Sequence, residues 1–204
     1  MSEITSIEVQ QKDKTRANLY LDDKFYAGIS IELVVKHQLK KGKEVDETFL
    51  SEIIFEDEKG KALSKAVKYI SSNLKTTQQI RDYLRKKEYN PQIVDYVIDK
   101  MIEYKYLDDE AYAKTYISTY SSKFGKMKLI SQLKAKGIKE STIDSVFSDD
   151  VKMEDSIQKV AEKYLKNKEI KPDIYMKLSR FLYSRGYEFD DINSCINEIK
   201  NKKS

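Results

Sequence analysis

Over the first thirty residues apolar and polar positions alternate, in ITSIEVQ (4–10), RANLYLD (16–22) and KFYAGI (24–29). That is the period of strands with one buried face. Asp22 and Asp23 stand between the second and third segments, where a tight hairpin turn belongs. Three short antiparallel strands are predicted. The period then lengthens: Ile31, Val34, Val35 and Leu39 share one face of a helix starting near Ser30, and KKGKE (40–44) ends it. A second short helix is predicted over DETFLSEIIFEDE (46–58), capped by Asp46, with Phe49, Leu50, Ile53 and Ile54 on one face. Residues 1–60 are therefore expected to form a small α+β cap.

From Lys61 onward the period is helical, and the chain repeats itself. An offset of 49 residues brings Leu84 onto Leu133 and Leu182, Lys87 onto Lys136 and Arg185, and Tyr89 onto Ile138 and Tyr187. The same offset superimposes Ile80, Leu129 and Leu178, then Val94, Ile143 and Ile192, then Val97, Val146 and Cys195, then Ile98, Phe147 and Ile196. Upstream, with a slip of one or two residues, AVKYI at Ala66 matches AKTYI at Ala113 and AEKYL at Ala161. Such periodicity marks a tandem array, here of three-helix repeats over residues 61–107, 108–151 and 152–204. Gly137 and Gly186 fall where a left-handed residue closes the second helix of a repeat. Glu88 stands there in the first repeat, so that turn is expected to be less favourable or built differently. Asn90 with Pro91, the run Asp108 to Glu110, and Lys171-Pro172-Asp173 supply helix-start signals. A mostly α chain is expected, its repeats stacked into a curved array behind the cap.

Composition sharpens this only after it is divided along the chain. Of 204 residues, 40 % are hydrophobic and 35 % charged, which suits a folded protein with a heavily solvated surface. No apolar run approaches bilayer length, and MSEITSIEVQ lacks the form of a signal peptide, so a cytoplasmic protein without membrane attachment is expected. The single cysteine, Cys195, excludes an internal disulfide framework. Residues 1–60 hold 9 basic and 13 acidic groups, 61–107 hold 10 and 5, 108–151 hold 7 of each, and 152–204 hold 12 and 9. The first and third repeats are thus the basic ones, as suits a polyanion or an acidic protein surface.

Signals for catalysis are sparse. His37, the only histidine, sits among Lys36, Lys40 and Lys41 and is expected to be a solvated residue. Cys195 takes the slot of Val97 and Val146, which core packing explains. No paired CxxC, histidine cluster or acidic calcium loop supports a metal, and KFGKMK (123–128) lacks the ending of a phosphate-binding loop. Neither an enzyme nor a cofactor is expected. Among fifteen tyrosines, Tyr69, Tyr116 and Tyr164 recur at one repeat position and are expected to pack, hydroxyls near the edge. Tyr89, Tyr104, Tyr106, Tyr120, Tyr183 and Tyr187 stay open between packing and base stacking. The best functional candidates are the basic residues around the repeated turn: Arg81, Arg85, Lys86 and Lys87; Lys126, Lys128, Lys134 and Lys136; Arg180 and Arg185. Each alone could be the cationic last turn of a helix. Their recurrence instead suggests spaced contacts to phosphates or acidic patches.

EYKYLDDEAYAKTYI from Glu103, followed by KFGKMKLISQLKAKGIKESTID from Lys123, resembles the central repeat of the regulatory protein RecX family. Shared features are a leucine-aspartate entry, an alanine-containing first helix, a lone glycine before the second helix and a leucine-x-x-lysine-glycine-isoleucine turn. LRKKEYNPQIVDYVIDKM is similar to the preceding repeat and FLYSRGYEFDDINSCI to the following one, while ITSIEVQQ and LYLDDKFYAGI resemble the strand region that longer members place first. Glu88 departs from the usual glycine. The resemblance implies a modulator of the RecA recombinase that binds RecA or RecA–single-stranded DNA filaments and, as family members commonly do, inhibits ATP hydrolysis and strand exchange; a monomer is expected. The residues by themselves leave room for a sequence-independent DNA-binding protein or a helical scaffold for another partner.

Overall fold

The computed structural model describes residues 1–71, 73–148, 156–169, 171 and 173–203. It divides into two compact units, Met1–Ser72 with Leu84–Met101, and Asn73–Tyr83 with Ile102–Ser204. No helix among the described residues is long and apolar enough to cross a membrane.

The first unit opens with β1 (Ser2–Val9), β2 (Arg16–Leu21) and β3 (Lys24–Ser30), the three predicted strands. Asp22 and Asp23 both take left-handed backbone, φ 46° and 62°, which matches the hairpin to the twist of its strands. Between Ile4 and Ser6 the register of β1 on β2 shifts by one residue. Ile4 and Ile7, three places apart, would face opposite sides of a regular strand; this bulge lets both reach the same core. The sheet has four strands, order β3-β2-β1-β4. The unpredicted one, β4 (Glu44–Val45), has two residues pairing with Ser2 and Glu3, too few to show a period. Ser30 caps α1 (Ile31–Lys36) through its hydroxyl, 3.3 Å from Leu33 N–H, as expected.

The second cap helix is not short. After Asp46, whose carboxylate accepts from Phe49 N–H at 2.7 Å, α2 runs unbroken over Glu47–Ile70. It passes through the expected boundary at residue 60 and also supplies the first helix of repeat 1. Gly60 is exposed inside it. One glycine costs a helix interior about 1 kcal/mol, and the helix formers Glu58, Lys59, Lys61 and Ala62 around it carry the helix through. Asp57 on the inner face ties the helix to the sheet. Its carboxylate accepts from Ser30 N–H at 2.8 Å, Arg16 Nη2 at 2.9 Å and Lys61 Nζ at 2.7 Å. Burial pushes this carboxyl up, but the hydrogen bonds from Arg16, Lys61 and Ser30 outweigh burial and hold it below the usual aspartate range.

The repeats are helical throughout. Repeat 1 continues with α3 (Thr77–Lys86), shared between the two units, and α4 (Pro91–Glu103), started by Pro91 with the Asn90 carboxamide 2.8 Å from Gln92 N–H. Repeat 2 is α5 (Asp109–Tyr120), α6 (Lys126–Ala135) and α7 (Glu140–Ser148); Asp108 caps α5 at 2.8 Å from Ala111 N–H. Repeat 3 is α8 (Ser156–Leu165), α9 (Ile174–Ser184) and α10 (Phe189–Lys203). Ala113, Ile117, Leu129, Leu133, Ile143 and Val146 form one core, and Ala161, Leu178, Leu182, Ile192, Cys195 and Ile196 the next, so repeats 2 and 3 each close their own three-helix core. Cys195 is buried there as expected. Pro172 and the 151/152 boundary lie outside the described residues.

The repeated turn is built one way in all three copies. Tyr89 N–H donates to Leu84 O at 3.3 Å, Ile138 to Leu133 at 3.2 Å and Tyr187 to Leu182 at 3.3 Å. Each bond spans a left-handed residue, Glu88 (φ 61°), Gly137 (79°) or Gly186 (85°). Glu88 thus does not change the turn; it bears the steric cost of the same conformation.

Candidate functional site

The turn that closes the second helix of a repeat seats on the start of the second helix before it. Between repeats 1 and 2, Thr76 Oγ1 donates to the carbonyl of Lys136 at 2.7 Å, and Thr77 N–H donates to the Asp109 carboxylate at 2.8 Å. Between repeats 2 and 3, Gly125 N–H donates to the carbonyl of Arg185 at 2.9 Å and Met127 N–H to that of Gly186 at 3.1 Å. Lys136 and Arg185 are equivalent under the 49-residue offset, and so are Thr76 and Gly125. A methyl group on Gly186 would stand 2.3 Å from Lys128 N, and one on Gly137 2.3 Å from Gln78 Cβ. The glycines therefore answer two demands at once, left-handed backbone and close approach.

This seating redistributes the predicted basic residues. Lys126 and Lys128 open α6 whereas Lys134 and Lys136 close it, about 15 Å apart along the axis. One repeat does not gather them at one corner. The joint between repeats 2 and 3 instead brings Arg185 to the start of α6: Gly186, next to Arg185, packs on Lys128, and Lys126 lies two residues earlier. Arg185 spreads its guanidinium over Phe124 and Phe181, at 5.5 Å and 5.0 Å from the ring centroids. Lys136 lies over Tyr116 at 5.2 Å, and Lys126 over Phe147 at 5.4 Å. Lys134 pairs with Glu140 at 2.5 Å, and the hydrogen bond from that ammonium holds the exposed Glu140 carboxyl below its ordinary range. Arg180 is exposed on α9, near the Met176 sulfur at 3.8 Å. Arg81, half-buried, lies in the second unit; Arg85, Lys86 and Lys87, all exposed, belong to the first.

The tyrosines sort themselves. Tyr116 and Tyr164 are half-buried packing residues as expected; Tyr116 OH lies 3.2 Å from Gln132 Oε1, and burial pushes its hydroxyl pKa up. Tyr164 stacks on Phe181 at 4.5 Å. Of those left open, Tyr187 is a core residue, with its hydroxyl 2.6 Å from Ser156 Oγ, and Tyr89 lies beneath Lys65. Tyr104 and Tyr106 meet edge to face on the surface, and Tyr183 is 71 % exposed. Tyr120 joins a row of rings with Tyr112, Tyr116 and Phe124, at centroid spacings of 6.2, 4.6 and 6.3 Å. The one-turn spacing of Tyr112, Tyr116 and Tyr120 was the available signal for that row; Tyr112 lies outside the repeated AKTYI motif. His37 is not the solvated residue expected: it is half-buried against Phe49, with Nε2 3.1 Å from Glu56 Oε2, because α1 lies against α2. Among the described residues no cluster of His, Cys, Asp and Glu is placed to hold a metal ion.

Four family models match consecutive stretches of the chain: the regulatory protein RecX N-terminal domain over residues 2–46, and the first, second and third RecX three-helix domains over 62–101, 108–146 and 153–196. Regulatory protein RecX of Clostridium tetani is 40 % identical, over 98 % of this chain and 95 % of that relative. The Bacillus subtilis protein of the same name is 34 % identical, over 97 % and 77 %. A crystal structure of a regulatory protein RecX superimposes with a TM-score of 0.74 at 26 % identity, covering 97 % of this chain and all of that one. RecX from Lactobacillus salivarius shares the fold, with a TM-score of 0.63 at 22 % identity over 71 % of this chain.

Proposed function

Because the chain belongs to the RecX family of regulatory proteins, we propose that it regulates the RecA recombinase, binding RecA or RecA–single-stranded DNA filaments and slowing ATP hydrolysis and strand exchange. The observation that carries this is the match of every RecX domain model in order along one chain. Supporting it, cations recur at equivalent joints, Lys136 in one and Arg185 in the next. A partner built from identical protomers presents its acidic or phosphate groups at regular intervals, and a repeated cationic joint suits such spacing. The contacts proposed are Arg81, Arg85, Lys86, Lys87, Lys126, Lys128, Lys134, Lys136, Arg180 and Arg185, carried on the repeats at 61–107, 108–151 and 152–204. Regulation follows from differential affinity: a ligand that binds one filament conformation better than another shifts the filament toward it.

The test is the ATP hydrolysis rate of preformed RecA filaments on single-stranded DNA, titrated with this protein at fixed moderate salt and repeated with excess naked DNA. Inhibition well below one molecule per recombinase, resistant to the added DNA, is the expected result. No inhibition, or inhibition erased by naked DNA, would leave at most a DNA-binding protein and overturn filament regulation.

A further inference from the structure

The row of rings on α5 borders a cleft of about 480 Å³ in the second unit. Tyr112, Tyr116 and Tyr120 line it together with Lys136, Lys75 and Gln79. The rest of the lining is one asparagine, one leucine and two threonines, so none of its lining residues carries a carboxylate. Its neighbours differ. The cleft beside Leu107 is lined by Asp108, Asp109 and Glu110, and the one beside Ser156 by Glu188, Asp191 and Glu198. In a chain with 34 acidic residues, a cleft with two lysines and no acid favours an anion.

We infer that this cleft binds unpaired nucleic acid, Tyr112 and Tyr120 stacking on bases and Lys75 and Lys136 facing the phosphates. Flat rings recur at one-turn intervals along α5, so a ligand with repeated flat faces and repeated negative charge fits better than a single small anion. A duplex keeps its base faces in its own stack; a single strand offers them. Hydroxyl and amide groups of Thr115, Thr119 and Gln79 add hydrogen bonds suited to sugar and base edges without selecting one base. Lys136 is shared with the proposed recombinase contacts, and in that respect the inference deepens that function; its test contains no recombinase, so either can fail without the other.

The first measurement is photocrosslinking of the full-length chain to an oligothymidylate carrying iododeoxyuridine, followed by peptide mapping. Adducts within Asp109–Tyr120 are expected; adducts confined to other segments, or none, would overturn the assignment. The second is anisotropy with a labelled oligothymidylate. Replacing Tyr112→Ala or Tyr120→Ala should weaken binding about tenfold each, while Tyr112→Phe with Tyr120→Phe should retain it, because stacking needs the ring and not the hydroxyl. Lys75→Gln should flatten the salt dependence. Equal competition by duplex DNA, or displacement of the oligonucleotide by a polyglutamate peptide as readily as by unlabelled strand, would reduce the cleft to a non-specific cationic or peptide site and sink the proposal. Crosslink mapping uses the unmodified protein and stands even where an alanine variant misfolds.

Discussion

At the scale of single residues the turn position separates two requirements that usually travel together. Gly137 and Gly186 need left-handed backbone and also room, whereas the exposed Glu88 takes the same φ. An L-residue in that conformation costs roughly 1–2 kcal/mol. Glu88→Gly should therefore raise stability by about 0.5–1 kcal/mol, the net of relieved strain and glycine's larger unfolded entropy, measured by urea denaturation. Gly186→Ala should cost about 3 kcal/mol, since the methyl meets the backbone nitrogen of Lys128 at 2.3 Å as well as the wrong φ. No gain for Glu88→Gly, or a loss at Gly186→Ala no larger than the roughly 1–2 kcal/mol of left-handed strain alone, would refute the separation. The glycines were legible in the sequence as turn residues. Their second role was not, because close approach depends on a partner helix 58 or 59 residues away that local pattern does not name.

At the scale of elements, strand period, helix caps and the 49-residue offset were all readable, since each is a local regularity. Two departures came from elements whose existence is decided by neighbours. β4 is two residues held by the edge of β1. α2 continues through Gly60, where nothing lies within 4 Å of an added methyl group. Gly60→Ala should accordingly stabilise the chain by about 1 kcal/mol, read as a higher urea midpoint; a loss would mean that the helix needs glycine's freedom there. Asp57 stands between Glu56 and Glu58, where nothing in the local pattern sets it apart. Removing it by Asp57→Ala leaves Arg16 without its buried partner and should cost about 3 kcal/mol. Its folded pKa is lowered, so its stabilisation is fully present above the ordinary aspartate value of about 3.9 and is lost as pH falls from there through the folded value. Wild-type stability should decline more steeply than that of Asp57→Ala across that acidic window, which parallel denaturation series at pH 5 and below would reveal.

For the molecule as a whole, family and repeat architecture could be read from sequence, but the composition of its surface could not. Ten basic residues looked equivalent because they recur near a turn. In three dimensions they are not alike. Lys136 and Arg185 are half-buried on aromatic rings, and their carbonyls sit in the repeat joints. Reversing either charge places a carboxylate against a ring face and disturbs a joint, so a loss of binding in Lys136→Glu or Arg185→Glu would confound contact with stability. Arg85, Lys86 and Lys128 are exposed. Reversal at exposed positions usually changes stability by no more than about 0.5 kcal/mol. Arg85→Glu with Lys86→Glu, and separately Lys128→Glu, should leave the melting transition within about 2 °C of the parent while weakening association with the recombinase–DNA filament. If phosphates are the contacts, the slope of log affinity against log salt should fall by about one for each cation lost. If acidic protein surface is the contact, the same variants should slow association without that per-charge change in slope. Unchanged filament binding in all of them would move the interface off the exposed cations and onto the aromatic cleft or the joints themselves.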